Sequence, residues 1–232
     1  AGIGLLEFVF RELDVRILCT NRVADGEFVS VGTTIALIQG PARGILSGER
    51  VALNFLQRMS GIATQTRKFV DAVKGTKAIV LDTRKTAPGL RVFDKLAVTI
   101  GGGTNHRLDL FDMYLIKENH IAMAGGLTEA VRRVRASNNG SGKIEVEVSS
   151  LSQLEEALSL EVDQILLDNM PIEQIKMAVK QADNKVPLEA SGNITLDNVR
   201  HVAETGVDFI SVGSLTHSVD AMDISLVVEG AE

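Results

Sequence analysis

The sequence predicts a parallel α/β barrel preceded by a small α+β unit, and three observations carry that prediction. From residue 78 onward, apolar strand-like runs alternate with amphipathic helical runs, the pattern of parallel strands joined by crossovers. A charged residue or a glycine falls at or just past the end of each run: Asp82, Lys117, Glu147, Asp168, Glu189 and Gly213. No GxGxxG follows the first of these strands, so a barrel, which gathers every strand end at one mouth, is favoured over an open doubly wound sheet.

The elements follow in order. Residues 1–13 place Ile3, Leu6, Val9, Phe10 and Leu13 at helical spacing. Asp25-Gly26 marks a turn between short runs at 17–19 and 28–29. Residues 34–39 and 42–46 read as strands separated by Gly40-Pro41. A long helix is expected from Ser47, which would cap it with Arg50 three residues on. Its apolar face is Val51, Phe55, Met59 and Ile62, then Phe69 and Val73, with Gly61 as a candidate bend. Barrel strands are expected at 78–81, 113–116, 144–148, 164–167, 187–190 and 209–212, and helices at 127–135, 151–158, 172–182 and 196–204.

Composition narrows the function. The chain has 232 residues, 45% of them hydrophobic, enough for a sizeable core. A net charge of −6, no Trp and a single Tyr speak against nucleic acid. No apolar run reaches the roughly 18 residues of a membrane span, and no basic-then-apolar signal pattern opens the sequence. With Cys19 as its lone cysteine, the protein is expected to be cytoplasmic. One stretch runs against the overall charge: residues 83–108 hold Arg84, Lys85, Arg91, Lys95 and Arg107 against Asp94 alone. A basic island in an acidic chain is read as either a solvated helix face or a site for a small anion.

The mouth of the predicted barrel carries both signs of charge. In Glu145-Val146-Glu147-Val148, strand alternation puts both carboxylates on one face. An unpaired buried charge is costly, so Glu147 either pairs with Lys117 or, with Asp168, seats a magnesium ion facing a polyphosphate. The run Gly101-Gly102-Gly103 before His106-Arg107 is expected to cradle an anion on its amides, unless it is a flexible loop. Ser191-Gly192-Asn193 and Gly213-Ser214-Leu215-Thr216-His217 follow consecutive late strands, as in a barrel phosphate site. The residues thus describe an enzyme for a small, strongly anionic substrate and leave the reaction open.

Longer motifs carry a resemblance. Glu49-Arg50-x-x-Leu53-Asn54, then Ser60-Gly61-Ile62-Ala63-Thr64; Asp82-Thr83-Arg84-Lys85-Thr86-x-Pro88-Gly89-Leu90-Arg91; Gly101-Gly102-Gly103-x-Asn105-His106-Arg107; and Leu115-Ile116-Lys117-x-Asn119-His120 resemble signatures of the quinolinate phosphoribosyltransferases. So do Glu145-Val146-Glu147-Val148, Leu167-Asp168-Asn169, Ser191-Gly192-Asn193 and Gly213-x-Leu215-Thr216-His217-Ser218, in order and nearly end to end.

The resemblance implies a fold and an activity. The fold is an N-terminal open sandwich followed by an incomplete α/β barrel of about seven strands, here divided as 1–61, 62–212 and a 213–232 segment returning to the first unit. The family's usual opening, a helix and the first sandwich strands, has no counterpart ahead of Ala1. The implied reaction joins quinolinate and 5-phosphoribosyl-1-pyrophosphate, giving nicotinate mononucleotide, pyrophosphate and carbon dioxide in NAD biosynthesis. By resemblance, Thr83, Arg84, His106 and Arg107 hold quinolinate, with Arg50 reaching from a partner subunit. Lys85 and Lys117 stand near the reacting groups, Glu147 and Asp168 face the ribose and Mg2+, and Ser191, Gly192, Gly213 and His217 take the 5-phosphate. The assembly implied is a homodimer with shared active sites, or a hexamer of dimers. A related phosphoribosyltransferase with another acceptor, or a non-catalytic fragment, is the alternative; the group Arg50, Arg84, His106 and Arg107 favours a dicarboxylate.

Overall fold

The computed structural model describes residues 1–137 and 141–228. Its first unit is α1 (Ile3–Leu13), the antiparallel pair β1 (Leu18–Asn21) and β2 (Ala36–Gln39), and the first half of a long helix, α2 (Ala42–Ala72). Ile3, Leu6 and Phe10, three positions of one helical stripe, pack with Ile17, Ala52 and Leu56 into a small core.

Two sequence expectations give way here. Residues 42–46 are the opening of α2 rather than a strand, and Ser47 lies inside the helix, its hydroxyl donating to the Arg43 carbonyl. Pro41 is the reason: its fixed φ and missing N–H suit the start of a helix, and a five-residue apolar run carries no period to say otherwise. Residues 28–29 form no strand, and Phe28 is exposed. The buried face of α2 is Ala52, Leu53, Leu56, Met59, Ile62 and Phe69, while Val51 faces outward.

The second unit alternates as expected: β3 (Ile79–Leu81), α3 (Arg91–Ile100), β4 (Met113–Ile116), α4 (Glu118–Ala124), α5 (Leu127–Ser137), β5 (Lys143–Val148), α6 (Leu151–Ser159), β6 (Gln164–Asp168), α7 (Ile172–Ala182), β7 (Leu188–Ser191), α8 (Val199–Ala203), β8 (Phe209–Ser211) and α9 (Ser214–His217). The strands pair in the order β3-β8-β7-β6-β5-β4, all parallel. Among the described residues the sheet has these six strands, and Thr104 makes a single parallel bridge to Leu81 at the open β3 edge. The barrel is therefore incomplete, with one bridge residue where a seventh strand would lie.

The main core lies between sheet and helices. Val146, Ile165, Leu167 and Ile210 face outward from the strands and meet Leu154, Ala157, Ala178 and Val199 of the helical layer, all fully buried. Each Val, Leu or Ile among them contributes roughly 1.5–3 kcal/mol relative to exposure. The alternate strand positions point inward and are largely polar: Glu145, Glu147, Gln164, Asp168, Glu189 and Ser211.

After α9 the chain runs back along α2. The Met222 N–H donates to the Gln57 carbonyl, and Gln57 Nε2 donates to the Ile224 carbonyl at 2.7 Å. Ile224 and Leu226 then pack on the first unit's core. Gly61 permits this route, because a Cβ there would overlap the Asp220 carbonyl. That close approach is the role the structure gives Gly61.

Candidate active site

The C-terminal ends of the strands gather the candidate residues. Thr83, Arg84 and Lys85 follow β3, Lys117 follows β4, Glu147 and Asp168 lie at the ends of β5 and β6, and Ser191 closes β7. Asp168, Ser191 and Ser211 stand in one row across three paired strands. Gly213 follows β8, and a Cβ built on it would sit 3.2 Å from the His217 ring and 3.6 Å from the Lys85 stem. Lys85 and the Gly213–His217 turn thus face each other. With Arg58, Thr86, Ala87 and Pro88 they line a cavity of about 390 Å3.

The cations are not equivalent. Among the described residues, the side chains of Arg50, Arg84 and Lys85 make no hydrogen bond or ion pair. Arg107 donates to the Met113 carbonyl, and burial, reinforced by the like charge of Arg84, holds its pKa below the usual guanidinium range. Lys117 Nζ meets Glu147 Oε2 at 2.8 Å, so the ion-pair reading of these two is realised. Lys95, counted in the basic island, is not at the mouth. It is sealed in an ion pair with Asp82, itself fully buried, which removes both from the set of mouth residues. Burial pushes the Asp82 carboxyl up and the Lys95 amine down, and each partner opposes the other's shift.

His106 is held at every polar atom. Its N–H donates to Asp82 Oδ1 at 2.8 Å, and its carbonyl accepts from Lys95 Nζ at 3.0 Å. Its Nδ1 accepts the Arg107 N–H at 2.8 Å, and its Nε2 lies 3.1 Å from Glu145 and 3.3 Å from Glu189. Gln164 Nε2 donates to both glutamates, and Ser211 donates to Glu189. Burial alone would lower the pKa of His106, but the two carboxylates outweigh it and push it up to about 9. The Arg107 N–H opposes this, because a ring nitrogen that carries a proton cannot accept. Two sealed carboxylates are worth more than one neutral hydrogen bond, so the cation is favoured. Burial, to which Glu189 adds, likewise raises the Glu145 carboxyl.

The glycine loops divide into two kinds. The N–H groups of Gly101, Gly102 and Gly103 all donate to carbonyls of α3, and Gly101 and Gly103 press against α2. That run ends a helix and offers no amide to an anion, contrary to the sequence expectation. The N–H groups of Gly192, Asn193 and Gly213 have no partner among the described residues. Gly192 has φ +95° and lies against Asn169, whose amide donates to Asp168 and accepts from Asn193.

Sequence reasoning singled out Glu189 at a strand end but not its partners, and it missed Gln164 and Ser211, which reach the cluster only through strand pairing, and Arg58. Arg58 had one signal, a cation interrupting the buried side of α2 beside Met59. His, Cys, Asp and Glu side chains converge as a group of three only at His106, Glu145 and Glu189 among the described residues. That group is enclosed: Gln164 and Ser211 bond its glutamates, and Glu145 Oε2 has no hydrogen-bond partner among the described residues beyond the approach of His106 Nε2. Glu147 and Asp168, hard oxygen donors that are only partly buried at adjoining strand ends, fit a magnesium ion that shares its shell with substrate phosphates.

An incomplete parallel barrel whose mouth sets unpaired cations and open amides beside two carboxylates defines a barrel enzyme class that handles anionic substrates. Comparison with known proteins narrows it. Residues 1–60 match the quinolinate phosphoribosyl transferase N-terminal domain, and residues 62–227 match the C-terminal domain. A Mycobacterium leprae nicotinate-nucleotide pyrophosphorylase [carboxylating] is 48% identical over 96% of this chain and 78% of its own. A chloroplastic rice protein of the same name is 43% identical over 99% of this chain, which spans 66% of that relative's length. The crystal structure of the Ehrlichia chaffeensis nicotinate-nucleotide pyrophosphorylase superposes with a TM-score of 0.95 at 46% identity, covering 99% of this chain and 83% of that one. The chain belongs to the quinolinate phosphoribosyltransferase family.

Proposed function

We propose that this protein transfers the phosphoribosyl group of 5-phosphoribosyl-1-pyrophosphate to quinolinate with decarboxylation, giving nicotinate mononucleotide, pyrophosphate and carbon dioxide for NAD synthesis. The observation that carries the reading is Lys85, whose side chain has no partner among the described residues, standing against Gly213 with its open amide, while Arg84 beside Lys85 lies close enough to Arg107 for their like charges to interact. The names of relatives at 43–48% identity support it.

In this reading Thr83, Arg84 and Arg107 hold the two quinolinate carboxylates, since guanidinium forks match carboxylates bidentately, and His106, whose polar atoms are all engaged within the protein, serves them by setting Arg107 in place. Arg50 completes that set from a partner subunit in a homodimer. Ser191, Gly192, Gly213 and His217 take the 5-phosphate on main-chain and side-chain donors. Glu147 and Asp168 face the ribose, where their charge stabilises the cation developing at the anomeric carbon as pyrophosphate leaves. Lys85 and Lys117 stabilise the leaving group, and Lys117 moves from Glu147 to do so. A magnesium ion held by Glu147 and Asp168 supplies further neutralisation of pyrophosphate charge when bound. Decarboxylation then asks little of the protein, because the quaternised ring nitrogen is the electron sink.

The same reading divides the chain into units at 1–61 and 62–212 with a returning segment at 213–232, and sets the protein in the cytoplasm. No helix among the described residues is long and apolar enough to cross a membrane, and Cys19 is a free thiol. The test is turnover with quinolinate and with nicotinate as acceptors. Quinolinate consumption with nicotinate left untouched supports the assignment; preference for nicotinate overturns it in favour of the related phosphoribosyltransferase.

A further inference from the structure

Arg58 projects from α2 into the wall of the cavity that Lys85 and His217 line. Its guanidinium does not face that space freely. Nε and Nη2 form a fork on Asp94 of α3, both bonds 2.8 Å long, and Nη2 also donates to the Thr216 carbonyl at 3.2 Å. Asp94 is fully buried and also accepts the Ala87 N–H. Thr216 closes the circuit, its hydroxyl donating to the Lys85 carbonyl at 2.9 Å. One ion pair therefore grips the main chain of two loops beyond the point where the pairing of β3 with β8 ends: the Lys85–Ala87 segment after β3 and the Gly213–His217 turn after β8. A bidentate fork fixes angle as well as distance, which a single charge contact does not.

We propose that Arg58 and Asp94 are positioning residues that hold the Lys85 loop and the Gly213–His217 turn in one register, so that both sides of the cavity meet a single phosphorylated sugar. The inference rests on the proposed function for the identity of that ligand. Asp94 is fully buried, and Arg58, though it borders the cavity, commits Nε and Nη2 to Asp94 and Thr216. They act through Lys85 and Gly213, and misplacing reacting groups by even an ångström lowers rate and affinity together.

The test separates positioning from plain structural support. Removing one partner leaves the other charge poorly compensated, so Arg58→Met and Asp94→Leu should each lower the melting temperature. Replacing both with apolar residues restores a neutral, packable site, and such double replacements often recover stability. The double variant still lacks the links to Ala87 and Thr216. It should therefore melt near the wild-type temperature yet bind 5-phosphoribosyl-1-pyrophosphate at least tenfold more weakly by calorimetry, with kcat falling as KM for this substrate rises. Recovery of both melting temperature and affinity would overturn the proposal, as would unchanged affinity in folded Arg58→Met. If the leucine variants do not fold, Arg58→Met with Asp94→Ala, which likewise leaves no acceptor for the Ala87 N–H, repeats the comparison, and the same two outcomes decide. Binding is read without turnover, so a wild-type protein that binds the ligand but makes no product counts against the proposed function alone.

Discussion

Lys95 Nζ lies 2.5 Å from Asp82 Oδ1, both side chains are sealed from solvent, and the pair grips the main-chain N–H and carbonyl of His106 from two sides. A cation that the sequence counts toward ligand binding is instead part of the frame that sets His106 and Arg107 in place.

Lys95→Met should therefore act as a structural lesion. It leaves Asp82 as a buried carboxylate without its cation, and breaking a buried pair costs about 3–5 kcal/mol. Urea unfolding should report a loss of that size. A loss within the 0–1 kcal/mol range of a surface pair, at about neutral pH, would contradict the arrangement.

His106 gives the fold a pH dependence with a defined sign. Its ordinary pKa is 6.5, and in the fold it is pushed up to about 9. A raised folded value means that proton binding stabilises the native state. The contribution is fully present below about pH 6.5 and is lost as pH rises through about 9, with a span of roughly 3 kcal/mol. The measurement is the unfolding free energy across this window for wild type minus His106→Gln. A flat difference would mean that the Arg107 N–H keeps the ring neutral.

Gly192→Ala should damage the phosphate loop. The residue has φ +95°, and a Cβ there would overlap the Asn169 side chain that braces Asp168 and Asn193. Calorimetric titration with 5-phosphoribosyl-1-pyrophosphate should show affinity falling on the order of tenfold or more, the loss of one charge-assisted contact. Wild-type affinity in a folded variant would remove Gly192 from the site.

The proposed sharing of sites predicts complementation. Arg50→Ala and Arg107→Ala should each abolish most activity, because each removes a carboxylate fork. If Arg50 serves the partner's mouth, a mixed dimer holds one doubly defective site and one intact site. Random exchange makes about half the dimers mixed, so roughly a quarter of wild-type activity should return on mixing. Confirmed exchange without recovery would assign Arg50 to its own chain or to no site.

Much of this was readable from residue order. Six apolar runs mark β3 to β8, and Lys117, Glu147, Asp168 and Gly213 stand at strand ends as a barrel mouth requires, whereas Asp82 is sealed by Lys95 and Glu189 lies buried inside β7. Ser191-Gly192-Asn193 and Gly213 declare themselves as loops with free amides. What stayed hidden depends on partners far along the chain. Lys95 differs from Arg91 only in which side of the ten-residue helix α3 it occupies, and Asp82 is needed to see it buried. The Gly101–Gly103 amides look available until the preceding helix is known to end on them. Glu145 was legible as an inward carboxylate. Its neighbours Gln164, Glu189 and Ser211 meet it only across three strand pairings, a register that periodicity alone does not fix.

The most direct measurement of the central claim uses quinolinate labelled at its 2-carboxyl carbon, incubated with 5-phosphoribosyl-1-pyrophosphate and magnesium. The account predicts labelled carbon dioxide released one for one with nicotinate mononucleotide and pyrophosphate, and no release when 5-phosphoribosyl-1-pyrophosphate is omitted. Label retained in a nucleotide product, or released without the sugar donor, would contradict it.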